Sequence, residues 1–224
     1  RLAMGAAAIG LGLALGVGIP PALDAVRRAV LDNPDALPWF GTRLLAFLSY
    51  LSLAGSVIYG LLLSTRLLER IVGRPVSFTL HRDLVAVGLA LAVGHAALLT
   101  VDTRVPFTLA EVLVPFIAPY RPLWVGLGQI ALVLTAAVSL AFWARRRVGQ
   151  RPWKALHSLA FAAFVITTAH GIASGSDTGQ PWAWWLYASV TALTAFLVAY
   201  RVSLVIAGGV TASSARPPRV GAPM

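Results

Sequence analysis

Four histidines lie in long apolar stretches of the chain and form two pairs of similar spacing. His81 and His95 are fourteen residues apart, and His157 and His170 are thirteen residues apart. An ionisable ring inside a membrane-length apolar segment is costly and usually marks a functional site. Neutral imidazole is a strong axial ligand for iron, and two imidazoles close its coordination sphere. The pattern therefore predicts two stacked haem sites, each held by one histidine from each of two helices.

The composition is that of a membrane protein. Of the 224 residues, 58% are hydrophobic and 12% are charged, and the mean hydropathy is +0.79. The formal net charge is +10. Because the basic residues flank the apolar runs, we expect them to set the topology and to contact anionic lipid rather than nucleic acid. The chain has no cysteine, which excludes disulfides, iron–sulfur clusters and thioether-attached haem.

Six apolar segments are each long enough to cross about 30 Å of hydrocarbon as a helix. Their approximate bounds are 2–20, 42–65, 78–101, 123–143, 153–173 and 182–206. We therefore expect an all-α integral membrane protein with a six-helix transmembrane bundle over residues 1–210. Residues 211–224 are expected to form a disordered cytoplasmic tail. The first segment could be mistaken for a signal peptide, but its length favours a span.

Charge asymmetry predicts the orientation. Arginines and a lysine cluster in the second-to-third connection, the fourth-to-fifth connection and the tail, whereas most acidic residues lie on the opposite side. The positive-inside rule then places both termini in the cytoplasm and the chain in the plasma (cell inner) membrane. On the outer side, residues 21–41 are amphipathic and residues 103–122 hold four prolines. The composition of residues 103–122 predicts either a short interfacial helix that covers the outer end of the bundle or a plain loop, and both alternatives stay open.

The histidines are expected to pair by depth. The third and fifth segments run in the same direction, so His81 should lie level with His157 (the inner pair) and His95 level with His170 (the outer pair). The two levels are about 20 Å apart along the helix axis. The 13-residue spacing, however, puts His157 and His170 on different faces of an ideal helix. Either the fifth helix is kinked near Thr167–Thr168, or the two macrocycles are set at different angles.

Haem propionates need cationic or hydrogen-bonding partners. The candidates for the inner haem are Arg82, Arg74, Arg151 and Lys154. The candidates for the outer haem are Arg104, Arg121 and Tyr120. Small residues near the ligands are expected to leave room for a flat macrocycle, and they are Gly88, Ala92, Gly94, Ala96, Ala160, Ala169 and Gly171.

Membrane histidines have three other common uses. A membrane histidine often forms an interhelical hydrogen bond. A proton relay is another use, but relays usually include carboxylates, and none of the six segments has an Asp or Glu near its middle. Zinc requires three or four clustered ligands, and the pairs are too far apart to supply them. The alternatives are a quinol-oxidising cytochrome b subunit and, from a different class, a haem-free transporter or structural subunit.

The histidine motifs resemble those of the ferric reductase-like transmembrane domain family. That family includes ferric reductases, NADPH oxidases and the haem-binding membrane subunit of the bacterial periplasmic methionine sulfoxide reductase system. The resemblance spans residues 42–206 and is carried by His81-Arg82, His95, Trp153-x-x-x-His157 and His170-Gly171. It implies two b-type haems, with His81 and His157 on the inner iron and His95 and His170 on the outer iron. It also implies electron transfer from the cytoplasm to the outside.

The chain departs from the larger members of that family after the sixth segment. Those members carry a flavin- and NADPH-binding domain there, whereas this sequence continues with a short tail and shows no dinucleotide-binding fingerprint. We therefore expect a haem-dependent oxidoreductase subunit that needs a partner. A separate flavoprotein reductase or quinol would donate the electrons, and an extracytoplasmic redox acceptor would take them.

Overall fold

The structure is a computed structural model that describes residues 36–65, residue 67 and residues 74–214. The first predicted span, most of the amphipathic connection over residues 21–41 and residues 215–224 lie outside the described residues. The helices are α1 Leu37–Thr65, α2 Arg74–Leu99, α3 Leu109–Leu113, α4 Pro122–Val148, α5 Gln150–Ser174 and α6 Pro181–Ser214.

The described part of the chain is helical and contains no strand. All of its helices except α3 are long and apolar enough to cross a membrane. The all-α prediction is therefore confirmed for this part, and five of the six predicted spans correspond to helices. The bounds differ slightly, since α1 begins five residues before the predicted start at residue 42. The last helix ends at Ser214, four residues into the predicted disordered tail.

Proline and glycine set the ends of several helices. Helices α4 and α6 begin at Pro122 and Pro181, as the sequence indicates, because proline at the first turn loses no intrahelical hydrogen bond. Between α4 and α5 the chain turns at Gly149, whose φ of 87° is in the region that favours glycine. The turn lets two long helices follow one another as an antiparallel pair.

The packing is that of a protein whose outside is apolar. Large side chains such as Val133 and Trp185 are 70% and 69% exposed, whereas the most buried positions include small residues such as Ala54, Ser56 and Ala183. Small residues let helices approach closely where lipid, not water, surrounds the bundle. The distribution indicates that lipid covers the exposed faces.

The long helices form two antiparallel pairs. Helix α1 packs along α2, and α4 packs along α5, while α1 also contacts α5 and α6. Helices α2 and α5, which carry the four histidines, do not pack closely on each other. The two histidine helices are therefore each supported by a neighbour rather than by each other.

The α1–α2 pair has a constant register built from seven-residue steps. Thr42, Ser49 and Ser56 are buried on α1, and they lie opposite His95, Gly88 and His81 on α2. Each seven-residue step along α1 is matched by a seven-residue step back along α2, as in left-handed packing of nearly antiparallel helices. The register brings both α2 histidines against the α1 backbone.

The 103–122 connection contains the short helix α3, which is one of its two predicted forms. Its first turn is closed by a capping box, because Thr108 and Glu111 each bind the other's backbone N–H. The amide of Gln129 on α4 donates to the carbonyls of Glu111 and Val112, at 2.8 and 2.7 Å. Helix α3 is therefore fixed to α4; its contact with the outer membrane interface stays a prediction.

A cluster at the His95 end of the bundle joins three segments. Arg43 on α1 forms an ion pair with the buried carboxylate of Asp177, in the turn between α5 and α6. The guanidinium carbons of Arg43 and Arg104 lie 3.9 and 4.8 Å from the centre of the Trp39 ring. The cluster holds the start of α1 to the α2–α3 connection and to the end of α5.

Candidate functional site

The inner pair, His81 and His157, is brought together by α2 and α5. The centres of the two imidazole rings are 6.1 Å apart, and the ring planes are inclined at 77°. A metal–nitrogen bond of about 2 Å to each ring, with about 1.1 Å from nitrogen to ring centre, gives a separation of about 6 Å across a shared ion. The spacing therefore fits two axial ligands on one metal, although neither backbone approaches the other closely.

The imidazole of His81 is held by α1. Its Nδ1 lies 2.9 Å from the carbonyl oxygen of Ser56, so the ring donates a proton there. The Ser56 hydroxyl lies 3.0 Å from the same nitrogen and donates to the His81 carbonyl at 3.2 Å. Because Nδ1 carries the proton, Nε2 is the nitrogen with a free lone pair.

Both members of the outer pair are held in the same way. His95 Nδ1 donates to the Thr42 carbonyl on α1 at 2.9 Å, and His170 Nδ1 donates to the Trp124 carbonyl on α4 at 2.8 Å. Each ring therefore has the tautomer that leaves Nε2 available, as in His81. Among the described residues a ring-to-ring contact joins the inner pair, and none is found between His95 and His170.

His157 is held differently. Its ring stacks on that of Trp153 one turn earlier, with centres 5.3 Å apart and planes inclined at 18°. Within residues 36–65 and 74–214, no carbonyl is found to accept from His157. The inner pair thus combines one hydrogen-bonded ring with one stacked ring, whereas both outer rings are hydrogen-bonded.

The donor set fits a haem iron. Ligating histidines generally donate their second ring N–H to a carbonyl or carboxylate, which fixes the tautomer and strengthens the ligand. Three of the four rings have that partner. No group of three or more His, Cys, Asp or Glu side chains suited to a metal ion occurs in the described part of the chain. A porphyrin supplies four equatorial nitrogens itself, so two imidazoles suffice for it.

Helix α5 is continuous from Gln150 to Ser174 and directs its two rings to different neighbours. His157 faces His81 on α2, whereas His170 contacts the start of α4. This arrangement accounts for the thirteen-residue spacing without a break in the helix. The rings lie on different faces, as the angular argument requires, and the relative setting of two macrocycles stays a prediction.

Part of the prediction about small residues is wrong. Gly88 packs against Leu53 and Gly94 against Leu45, both on α1, and Gly171 packs against Tyr187 on α6. These glycines therefore allow close helix packing rather than leaving space beside the ligands. Periodicity alone could not distinguish the two faces of α2.

The basic residues predicted as propionate partners have varied surroundings. Arg82 is exposed and pairs with Asp83 at 3.4 Å. Arg151 and Lys154 are exposed in the first turns of α5. Arg74 begins α2, but its side chain lies outside the described residues. Arg104 stacks over Trp39, as described above.

Arg121 and Tyr120 act on the end of α5. The Arg121 guanidinium donates to the Ala173 carbonyl and lies over the Tyr120 ring, and the Tyr120 hydroxyl donates to the Ser174 carbonyl at 3.3 Å. A cation near the last carbonyls of a helix is favourable. Both side chains thus stabilise the turn that carries His170, and their role as propionate partners stays a prediction.

Sequence reasoning missed two features of the site. One is the set of α1 and α4 carbonyls that orient the rings, which the seven-residue spacing of Thr42, Ser49 and Ser56 could have indicated. The other is Arg201 on α6, whose charge is close enough to act on His157. Arg201 is the single charged residue of the predicted sixth span, and a lone charge in an apolar span is a signal of function.

The comparison with known proteins identifies the family to which this chain belongs. A family described as a domain of unknown function (DUF8596) matches residues 37–177, and the chain belongs to this family. The matched region runs from the start of α1 to the turn after α5 and contains all four histidines. No curated protein and no solved structure matches the chain.

Proposed function

We propose that this DUF8596 protein carries electrons across a membrane through two b-type haems, each bound by two histidines. The observation that carries the proposal is the inner pair, whose rings lie 6.1 Å apart on helices that do not pack on each other. The hydrogen bonds that leave Nε2 available on three rings support the same use.

In this proposal His81 and His157 bind the inner iron, and His95 and His170 bind the outer iron. A bound haem supplies a one-electron carrier whose two axial positions are occupied, and such a site transfers electrons without readily binding oxygen. The surrounding helices hold three of the four rings in fixed tautomers. The two levels are about 20 Å apart along the bundle, so together they reach from one end of the apolar region to the other.

The direction and the partners follow from charge and from the resemblance to ferric reductase-like domains. Arg145, Arg146 and Arg147 in the last turn of α4 indicate that this end faces the cytoplasm in the plasma membrane. A flavoprotein or quinol would reduce the inner haem, and an extracytoplasmic acceptor would oxidise the outer one. Reduction by quinol alone would favour the cytochrome b alternative, whereas strict dependence on a flavin reductase would exclude it.

The test is the pigment of the purified full-length chain from haem-replete cells. We expect the absorbance of a reduced b-type cytochrome and about two haems per chain. His95→Leu should remove the outer haem and leave the inner one, while Val93→Ala at an exposed position of the same helix should keep both. A colourless wild-type protein would refute the proposal, and solute flux in liposomes without pigment would instead support a transporter.

A further inference from the structure

The three carbonyl groups that accept from histidine share a feature of sequence. The accepting residues are Ser56, Thr42 and Trp124, and the residues four positions later are Gly60, Ala46 and Gly128. All three of these later residues are small. The same pattern on two different helices suggests a common physical cause.

The cause is the geometry of the α-helix. The carbonyl of residue i already accepts from the N–H of residue i+4, and the side chain of i+4 tilts back toward that carbonyl. A ring from another helix can reach the carbonyl only where the i+4 side chain is small. A Cβ added at Gly128 would overlap the His170 imidazole, and one added at Gly60 would lie 3.2 Å from His81 Cε1 and 3.4 Å from Nδ1.

We propose that Gly128 and Gly60 are positioning residues, which keep the carbonyls of Trp124 and Ser56 open to the N–H groups of His170 and His81. This inference rests on the proposed function. The hydrogen bond fixes the tautomer with Nε2 toward the iron and increases the donor strength of the ring. A stronger donor favours ferric over ferrous iron, so each glycine also lowers the midpoint potential of its haem.

From this role we expect that adding one methyl group at each glycine changes haem binding to different extents. Gly128→Ala should weaken haem binding at the outer site by about 10- to 100-fold, the usual effect of losing the hydrogen-bond partner of a metal-ligating histidine. A tenfold loss confined to the ferric state would raise that midpoint potential by about 59 mV. Gly60→Ala should act on the inner site in the same direction but less strongly. Gly55→Ala is the matched control, because its Cβ would be 3.8 Å from Leu84 and touch no ligand.

A second measurement tests the hydrogen bond without changing either glycine. In His170→Gly, free imidazole and 1-methylimidazole can both bind the iron, but only imidazole has an N–H to donate to Trp124. We expect the imidazole complex to have the lower midpoint potential and the tighter binding. Equal potentials and equal binding for the two ligands would refute the positioning role.

The outcomes separate this inference from the function on which it rests. A wild-type chain without haem would refute the proposed function itself. A wild-type chain with two haems, together with Gly128→Ala and Gly60→Ala variants indistinguishable from Gly55→Ala in haem content and potential, would refute only the role of the glycines. If Gly128→Ala does not accumulate, the Gly60→Ala titration and the two-ligand comparison still decide the question.

Discussion

Gly88 occupies the middle of the α1–α2 interface, seven residues from each α2 histidine. A Cβ added there would lie 2.7 Å from the Leu53 side chain and 3.2 Å from its backbone nitrogen. Ordinary van der Waals contact begins at 3.4 Å. The contact with the backbone nitrogen requires a shift of about 0.2 Å, and with Leu53 kept in its present conformation Gly88→Ala moves α1 and α2 apart by about 0.7 Å at this level, the difference between 2.7 and 3.4 Å.

That displacement has a consequence at the levels of both α2 histidines. The Nδ1–carbonyl bonds of His81 and His95 are 2.9 Å long. Lengthening each by the same amount would give about 3.6 Å, which is too long for a hydrogen bond. Overpacking costs about 1–3 kcal/mol, against a gain of up to about 1 kcal/mol from replacing a helical glycine with alanine. We expect a net loss of about 1 kcal/mol in the free energy of unfolding.

The assay compares the haem-to-protein ratio and the thermal unfolding of Gly88→Ala with those of the wild type in detergent. Both haems should be bound more weakly, and to similar extents, because one shared interface is opened. The Gly55→Ala variant, on the same interface but without overlap, should retain both. Loss of a single haem, or full retention of two haems with unchanged stability, would refute the rigid-pair reasoning.

Two further changes test the His95 end of the bundle. Removal of the carboxylate in Asp177→Ala leaves the partly buried Arg43 without its ion-pair partner, and we expect the free energy of unfolding, measured by thermal unfolding, to fall by about 1–3 kcal/mol. The double variant that also carries Arg43→Ala should lose less than the sum of the losses in the two single variants. Hydrogen bonds from the backbone N–H of Thr108, and then from its hydroxyl, lower the pKa of the Glu111 carboxyl below its ordinary value of 4.5. The stability that this cap gives to α3 is therefore present above pH 4.5 and is lost as the pH falls through the lowered pKa. Hydrogen exchange over α3 should therefore accelerate on acidification relative to Glu111→Gln, which keeps an accepting oxygen, and equal pH profiles would contradict this account.

Much of the helical architecture could be predicted because hydropathy is a strong signal over twenty residues. The starts of α4 and α6 follow directly from Pro122 and Pro181. The shared depth of His81 and His157 follows from the alternating direction of successive spans, and the structure brings their rings together. These features depend on local composition and on chain connectivity, both of which are visible in one sequence.

The rotation of each helix about its axis was harder to predict. In a lipid-facing bundle both sides of a helix are apolar, so periodicity does not identify the buried face as it does in a water-soluble protein. Gly88 and Gly94 were assigned to the ligand side of α2 for this reason, whereas they face α1. Arg121 was assigned by its position in the sequence near the outer pair, and the contact of its guanidinium with the Ala173 carbonyl was not predicted. Such choices depend on contacts between distant residues.

The arrangement of pairs explains how α2 and α5 are held in place without packing closely on each other. Apolar association between helices is weak in lipid, so close packing and interhelical hydrogen bonds must supply the specificity. In this chain the close packing lies behind the ligands, where α1 holds α2 and α4 holds α5. The Arg43–Asp177 ion pair then joins the α1 side to the end of α5 at one level. Each histidine helix is therefore oriented by its neighbour, and the His81 and His157 rings meet although their helices do not pack closely on each other.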